Sequence, residues 1–266
     1  MNTYIRTVMA LAFSIVSNAF AVPVLQVGAP APAGSGEGTY AAYIGSLTNP
    51  TEEDTARTSG NKIYVAGAYR KDVINLGGKV GSGQDWSGVD SNYAPFNGHK
   101  AVLLVAVPNG DSGTLTISVD GGASLSAFYT SPTLNNLFPN NHDPLKDAIA
   151  DFLFFDIGDF TKNPNAVPDF ATETGSDAGQ IKTITFSNTG FDWLHFDVLA
   201  LETSEKKGKD GTSIIVTDIV KNPGSHDVTA FAGQVPPPPP QPAPEPGILW
   251  LLASGLLGLR WWARRV

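Results

Sequence analysis

Lys100-Ala101-Val102-Leu103-Leu104-Val105-Ala106-Val107 is almost continuously apolar, and Pro108-Asn109-Gly110-Asp111 closes it with a turn signal. A short apolar run bounded in this way predicts a central β-strand buried on both faces. Just downstream, Leu115, Ile117 and Val119 alternate with Thr116 and Ser118, the period-2 pattern of a strand with one wet face. The same kind of run recurs outward in both directions, over residues 39–44, 62–69, 152–157, 181–186, 193–201 and 213–220. Asn109-Gly110-Asp111, Asp120-Gly121-Gly122 and Asn188-Thr189-Gly190 punctuate the series, residues that tolerate the positive φ of tight turns. Strands at this spacing, with helical periodicity nearly absent, predict an all-β chain folded as a single β-sandwich domain. One short helix is expected. Asp143 can cap it, Pro144 suits its first position, and Leu145, Ala148, Ile149 and Phe152 form an apolar stripe that would plug one end of the sandwich.

The two ends read as addresses. In residues 1–21, Arg6 supplies a positive start, residues 8–16 an apolar core, and Ala19-Phe20-Ala21 a small-x-small cleavage site, so a signal peptide is expected with cleavage before Val22. Residues 22–233 would form the exported domain and residues 234–243 a proline-rich spacer, which in the polyproline II form extends about 3.1 Å per residue. Residues 28–38 are rich in Gly, Ala and Pro and read as a loop. The last segment, 244–266, opens with Pro244-Glu245-Pro246, continues through the uncharged apolar run 247–259, and ends with Arg260, Arg264 and Arg265 around Trp261-Trp262. A spanning helix needs roughly 20 apolar residues, so this run would suit a thin or locally thinned membrane, with Arg260 snorkelling and the tryptophans at the interface. The three arginines place the C-terminal side in the cytoplasm.

In this order the tail resembles the PEP-CTERM sorting signal of Gram-negative bacteria. The resemblance implies processing near Pro244, Glu245 and Pro246 by an exosortase, a membrane-embedded transpeptidase. It also implies passage through the Sec translocon, an inner-membrane intermediate held by the C-terminal helix, and a destination in the envelope, at the surface or in the extracellular matrix, with exopolysaccharide as a neighbour there. The prolines suit the role, because each fixes φ near about −65° and presents an extended backbone to a protease. Gly247 departs from the family, which more often carries a small hydroxyl residue there. A second resemblance concerns the domain itself. Val22-Pro23-Val24-Leu25-Gln26, Gly38-Thr39-Tyr40, Leu137-Phe138-Pro139-Asn140-Asn141-His142, Asp151 to Asp156 and Trp193-Leu194-His195-Phe196-Asp197 look like the choice-of-anchor N surface proteins, for which no catalytic residues carry over.

Composition narrows the function. The chain carries 17 basic and 25 acidic residues; without Arg6, Arg260, Arg264, Arg265 and Glu245, 13 basic face 24 acidic, a net charge of −11. An acidic domain with no basic cluster is a poor partner for nucleic acid. Cysteine is absent, which excludes disulfides, thiolate metal ligands, thiol nucleophiles and a lipidated-cysteine anchor.

No Gly-x-Ser-x-Gly elbow, His-Glu-x-x-His helix or Walker-type loop occurs, so a non-enzymatic protein without a cofactor is expected. Asp85, Asp90 and Asn92 are hard oxygen donors on a Gly-rich loop that calcium would accept, but their spacing is not that of an EF-hand and acidic loops usually face water without a metal. Trp86, Tyr93 and Phe96 suit either a sugar-stacking platform, the basis of an alternative reading as a membrane-tethered carbohydrate-binding or carbohydrate-active protein, or a packed core. His142-Asp143, with Asp147 and Asp151 following, reads as a metal or acid–base site or as helix capping. His195 reads as a packed or edge histidine, and His226-Asp227 as part of a solvated turn after Asn222-Pro223-Gly224-Ser225.

Overall fold

The apolar run becomes a strand, β5 (Val102–Pro108), and its two faces enter two different cores. A computed structural model describes residues 24–30, 56–78, 86, 91–132, 150–169, 175–223 and 226–231, which form two sheets. The first contains β1 (Leu25–Gly28), β3 (Lys62–Ala68), β6 (Thr114–Val119), β7 (Ser124–Leu125), β10 (Asn163–Pro168) and β11 (Ser176–Thr189), in the order β1-β3-β11-β6-β7 with β10 also on β11. The second contains β2 (Ala56–Thr58), β4 (Val73–Leu76), β5 (Val102–Pro108), β8 (Tyr129–Ser131), β9 (Ala150–Asp156), β12 (Trp193–Lys207), β13 (Ser213–Lys221) and β14 (Val228–Phe231). Its order is β2-β14-β12-β5-β9-β8, with β13 and β4 flanking the far half of β12. Pairing is antiparallel throughout except for the parallel contact of β14 with β2. The β-sandwich expected from the sequence is what these strands build.

Alternation along β5 explains why no polar residue interrupts it. Leu103, Val105 and Val107 enter the core between the sheets, where they meet Phe155, Phe196 and Val198 of their own sheet and Ile63, Ile117 and Ile184 of the other. Val102, Leu104 and Ala106 point the opposite way and join Phe152, Phe154, Leu199 and Leu201 in a second core. Trp86, Tyr93 and Phe96 cover this outer face, with Phe128 and Tyr129 beside them. The Phe96 ring is central: its centroid lies 5.7 Å from Trp86, 6.0 Å from Tyr93, 6.0 Å from Phe128 and 5.0 Å from Phe154, separations at which tilted and edge-on aromatic pairs attract.

Two features depart from expectation. Phe152, expected both at the head of a strand run over 152–157 and on the apolar stripe of a helix, lies in β9, where pairing with β5 on one side and β8 on the other captures the aromatic run Phe152-Leu153-Phe154-Phe155. The rest of that helix, 143–149, lies outside the described residues. The helix among the described residues is a 3-10 turn at Ser91–Phe96, with Pro95 inside it, and it delivers Tyr93 and Phe96 to the second core. The turn signals behave as read: Asp120 and Gly121 both take positive φ, 51° and 74°, closing the β6–β7 hairpin with the twist that suits adjacent strands.

Tyr69 ties the two sheets together. Its hydroxyl donates to the Phe160 carbonyl at 2.6 Å and accepts the Leu76 amide at 3.1 Å, and burial raises its pKa. Lys182 on β11 is only 6% exposed, its ammonium 5.4 Å from the centre of the Phe160 ring. Burial holds its pKa below the usual amine value, outweighing the attraction of Asp120, Asp159 and Asp156. A lowered amine pKa means that the folded state holds this proton less tightly than the unfolded state. The desolvation cost is therefore complete below the folded pKa and vanishes as pH rises toward the unfolded value, about 10.4. Lys182→Met is expected to raise stability at pH 7 by about 1 kcal/mol, a melting shift of about 2–4 °C. Melts repeated at increasing alkalinity should show the gain shrinking.

Candidate functional site

Strand β12 carries two members of the one group of His, Asp or Glu side chains among the described residues whose donor atoms converge closely enough to hold a metal ion. Leu194, Phe196, Val198 and Ala200 face the core between the sheets, so strand alternation turns His195 and Asp197 to the opposite face. β14 pairs with this end of β12, setting His195 against Thr229 and Phe196 against Val228. Asp227, the residue just before β14, thereby comes beside Asp197. The His195 Nε2 atom lies 3.1 Å from Asp197 Oδ2 and 3.7 Å from Asp227 Oδ2, and all three side chains have no exposed surface. On the other flank of β12, His195 and Asp197 stand opposite Ala106 and Leu104 of β5, an apolar border.

The site is held from behind. His195 Nδ1 and Thr229 Oγ1 are 2.8 Å apart. Asn222 occupies the gap where β12 changes partners, from β14 at Phe196 to β13 at Leu199. Its Oδ1 accepts the Val198 amide at 2.7 Å, in the manner of a strand carbonyl, and its Nδ2 donates to Asp197 Oδ1 at 2.7 Å. The same Nδ2 reaches the carbonyls of Pro223 and His226 at 3.3 and 3.2 Å, so one side chain both completes the ladder and orients a carboxylate. Nearby, burial keeps the Lys221 pKa below its ordinary value, with Asp197 pulling the other way.

The structure assigns the other candidates as follows. Trp86 is 0% exposed, Tyr93 9% and Phe96 1%, so they form a core and not an exposed stacking platform. Asp227, expected in a solvated turn, is buried because β14 begins immediately after it and pairs with the centre of the sheet. His195 is fully buried. Asn92 is exposed on the 3-10 helix, while Asp85 and Asp90 lie outside the described residues. Asp151, the described member of the His142–Asp151 group, sits on β9, takes a hydrogen bond from the Gly110 amide at 3.0 Å, and lines an open cleft of about 330 Å³ with Asp111 and Ser131. His99 stacks on Phe128 at 3.6 Å and pairs with Asp156 at 3.1 Å, a partly exposed contact of small energetic weight. Ala19, Ala21, Pro244, Glu245, Pro246, Arg260, Arg264 and Arg265 lie outside the described residues, as do the spacer and the strand expected at 39–44. No helix among the described residues is long and apolar enough to cross a membrane.

Comparison with known proteins speaks to the tail. A family model described as the PEP-CTERM protein-sorting motif matches residues 242–265. The chain carries a PEP-CTERM sorting signal. This signal marks a protein for export and for exosortase-dependent sorting to the envelope or surface. Neither a curated protein nor a solved structure matches the chain.

Proposed function

We propose that this chain is a non-enzymatic protein of the cell surface or extracellular matrix, delivered there by Sec export and exosortase processing. The PEP-CTERM match at residues 242–265 supports the sorting and surface destination, and the lack of a catalytic motif in the sequence supports the non-enzymatic role. The leader 1–21 takes the chain into the translocon, and the apolar run 247–259 holds it in the inner membrane with Arg260, Arg264 and Arg265 on the cytoplasmic side. Exosortase cuts near Pro244-Glu245-Pro246, and the acidic domain leaves the membrane. The choice-of-anchor N blocks, among them the Trp193–Asp197 strand, support placing the domain beside other exported surface proteins whose anchors vary. Burial of Trp86, Tyr93 and Phe96 weighs against the sugar-stacking alternative.

Changing Pro244 and Pro246 to alanine separates sorting from simple anchorage. The double variant is expected to accumulate in the inner-membrane fraction at several times the wild-type level and to be depleted from the surface fraction, with the domain's melting unchanged. A plain anchor would distribute identically with and without the prolines, and that outcome would remove the sorting role.

A further inference from the structure

We propose that His195, Asp197 and Asp227 form a structural site for a divalent transition-metal ion of the zinc type, fastening β14 to β12. The spacing favours it. Donors held about 2.0–2.2 Å from one ion stand roughly 3–4 Å from each other, and the observed separations from Nε2 are 3.1 and 3.7 Å, with all three donor atoms within 4.8 Å of one another. A hydrogen bond from Nε2 accounts for the shorter of these but not the longer, which exceeds hydrogen-bonding reach. A divalent ion touching all three atoms neutralises both carboxylates where they lie.

The surroundings are those of a ligand set. In the tautomer with Nδ1 donating to Thr229 Oγ1, the Nε2 lone pair is directed at the two carboxylates, and the Asn222 amide orients Asp197 through Oδ1, with Oδ2 3.1 Å from Nε2. Such outer contacts fix ligand tautomer and orientation. One imidazole with two carboxylates suits zinc and its first-row neighbours better than calcium, which takes six to eight oxygens, or copper(I), which prefers sulfur. Complete burial of the three side chains favours a structural ion over an open catalytic one, with a second carboxylate oxygen or a water completing the four-coordinate shell. The strand it secures is the one that leads, beyond Phe231, toward the spacer and the sorting tail, so the ion would brace the sheet where a pull on the tail enters the domain.

The test uses the full-length chain purified in detergent without a histidine tag. After dialysis, elemental analysis should find about one zinc-type ion per chain, and a chelator should lower the melting temperature by about 5–10 °C, reversibly on adding Zn²⁺. Cobalt(II) exchanged into the wild type should give d–d absorption and broaden the amide resonances of Val198 and Thr229, which locates the ion without any substitution. His195→Gln and Asp227→Asn should each abolish the cobalt spectrum. A wild-type chain that takes up neither Zn²⁺ nor Co²⁺ and melts alike with and without chelator overturns the proposal and leaves a buried ion pair. Uptake that spares Val198 and Thr229, or survives in folded His195→Gln, overturns it too, by placing the ion elsewhere.

Discussion

Trp86→Ala is expected to destabilise the domain by about 3–5 kcal/mol, lowering its melting temperature by about 10 °C or more. Trp86 has no exposed surface, and its ring centroid lies 6.0 Å from Tyr93 and 5.7 Å from Phe96. Its indole N–H donates to the His99 carbonyl at 2.7 Å. The substitution therefore opens a large cavity over the outer face of β5 and strips a carbonyl of its partner. Phe96 loses one wall of its ring cluster at the same time. Denaturant melts followed by circular dichroism measure the loss. Unchanged stability with loss of glycan binding would instead return Trp86 to an exposed sugar platform.

Asn222→Ala is expected to cost a similar amount, about 3–4 kcal/mol, although the change in volume is small. Asn222 is 3% exposed, and its side chain serves the Val198 amide, Asp197 Oδ1 and two loop carbonyls. Leaving a buried amide and a buried carboxylate oxygen each without its donor or acceptor costs about 1–3 kcal/mol per group, and more for the charged one. The loss should be local first, so amide hydrogen exchange at Val198 should accelerate far more than at Leu103. Asn222→Asp should be worse than alanine, because it adds a third carboxylate to Asp197 and Asp227. Equal exchange at Val198 and Leu103 in the alanine variant would contradict the bridging role.

These two positions also mark where the sequence was and was not legible. β5 is readable because burial on both faces writes itself as an unbroken apolar run, and β6 because one wet face imposes alternation. β12 is readable only as far as Leu201. Its continuation, Glu202-Thr203-Ser204-Glu205-Lys206-Lys207, looks polar, yet it remains strand because β13 and β4 pair with it on both sides, and Glu202 is buried against Arg70 at 3.3 Å. Phe152 fits both the helical stripe from Leu145 and the strand run 152–157, and the tertiary pairing of β9 with β5 and β8 decides for the strand. The sorting motif was legible throughout, since order along the chain is itself the signal.

The His195 site was half visible. His195 and Asp197 are two apart on a strand, enough to put both on one face. Asp227 sits behind Pro223-Gly224-Ser225, and nothing local distinguishes it from a solvated turn residue. Only the register of β14 on β12 unites the three, and that register is fixed by Leu194, Phe196, Val228 and Ala230 seeking the same core. A His-x-Asp on an otherwise apolar strand was the available signal.

The proposed delivery of the domain turns on a tail that is read and removed. Intact-mass spectrometry of the protein recovered from the surface of wild-type cells tests it most directly, with the Pro244→Ala/Pro246→Ala chain from the membrane fraction alongside. The expected wild-type mass is that of a chain beginning at Val22 and ending near Pro244-Glu245-Pro246, while the double variant keeps Trp261, Trp262 and the terminal arginines. A wild-type surface protein whose mass still includes Trp261-Trp262 would contradict the claim.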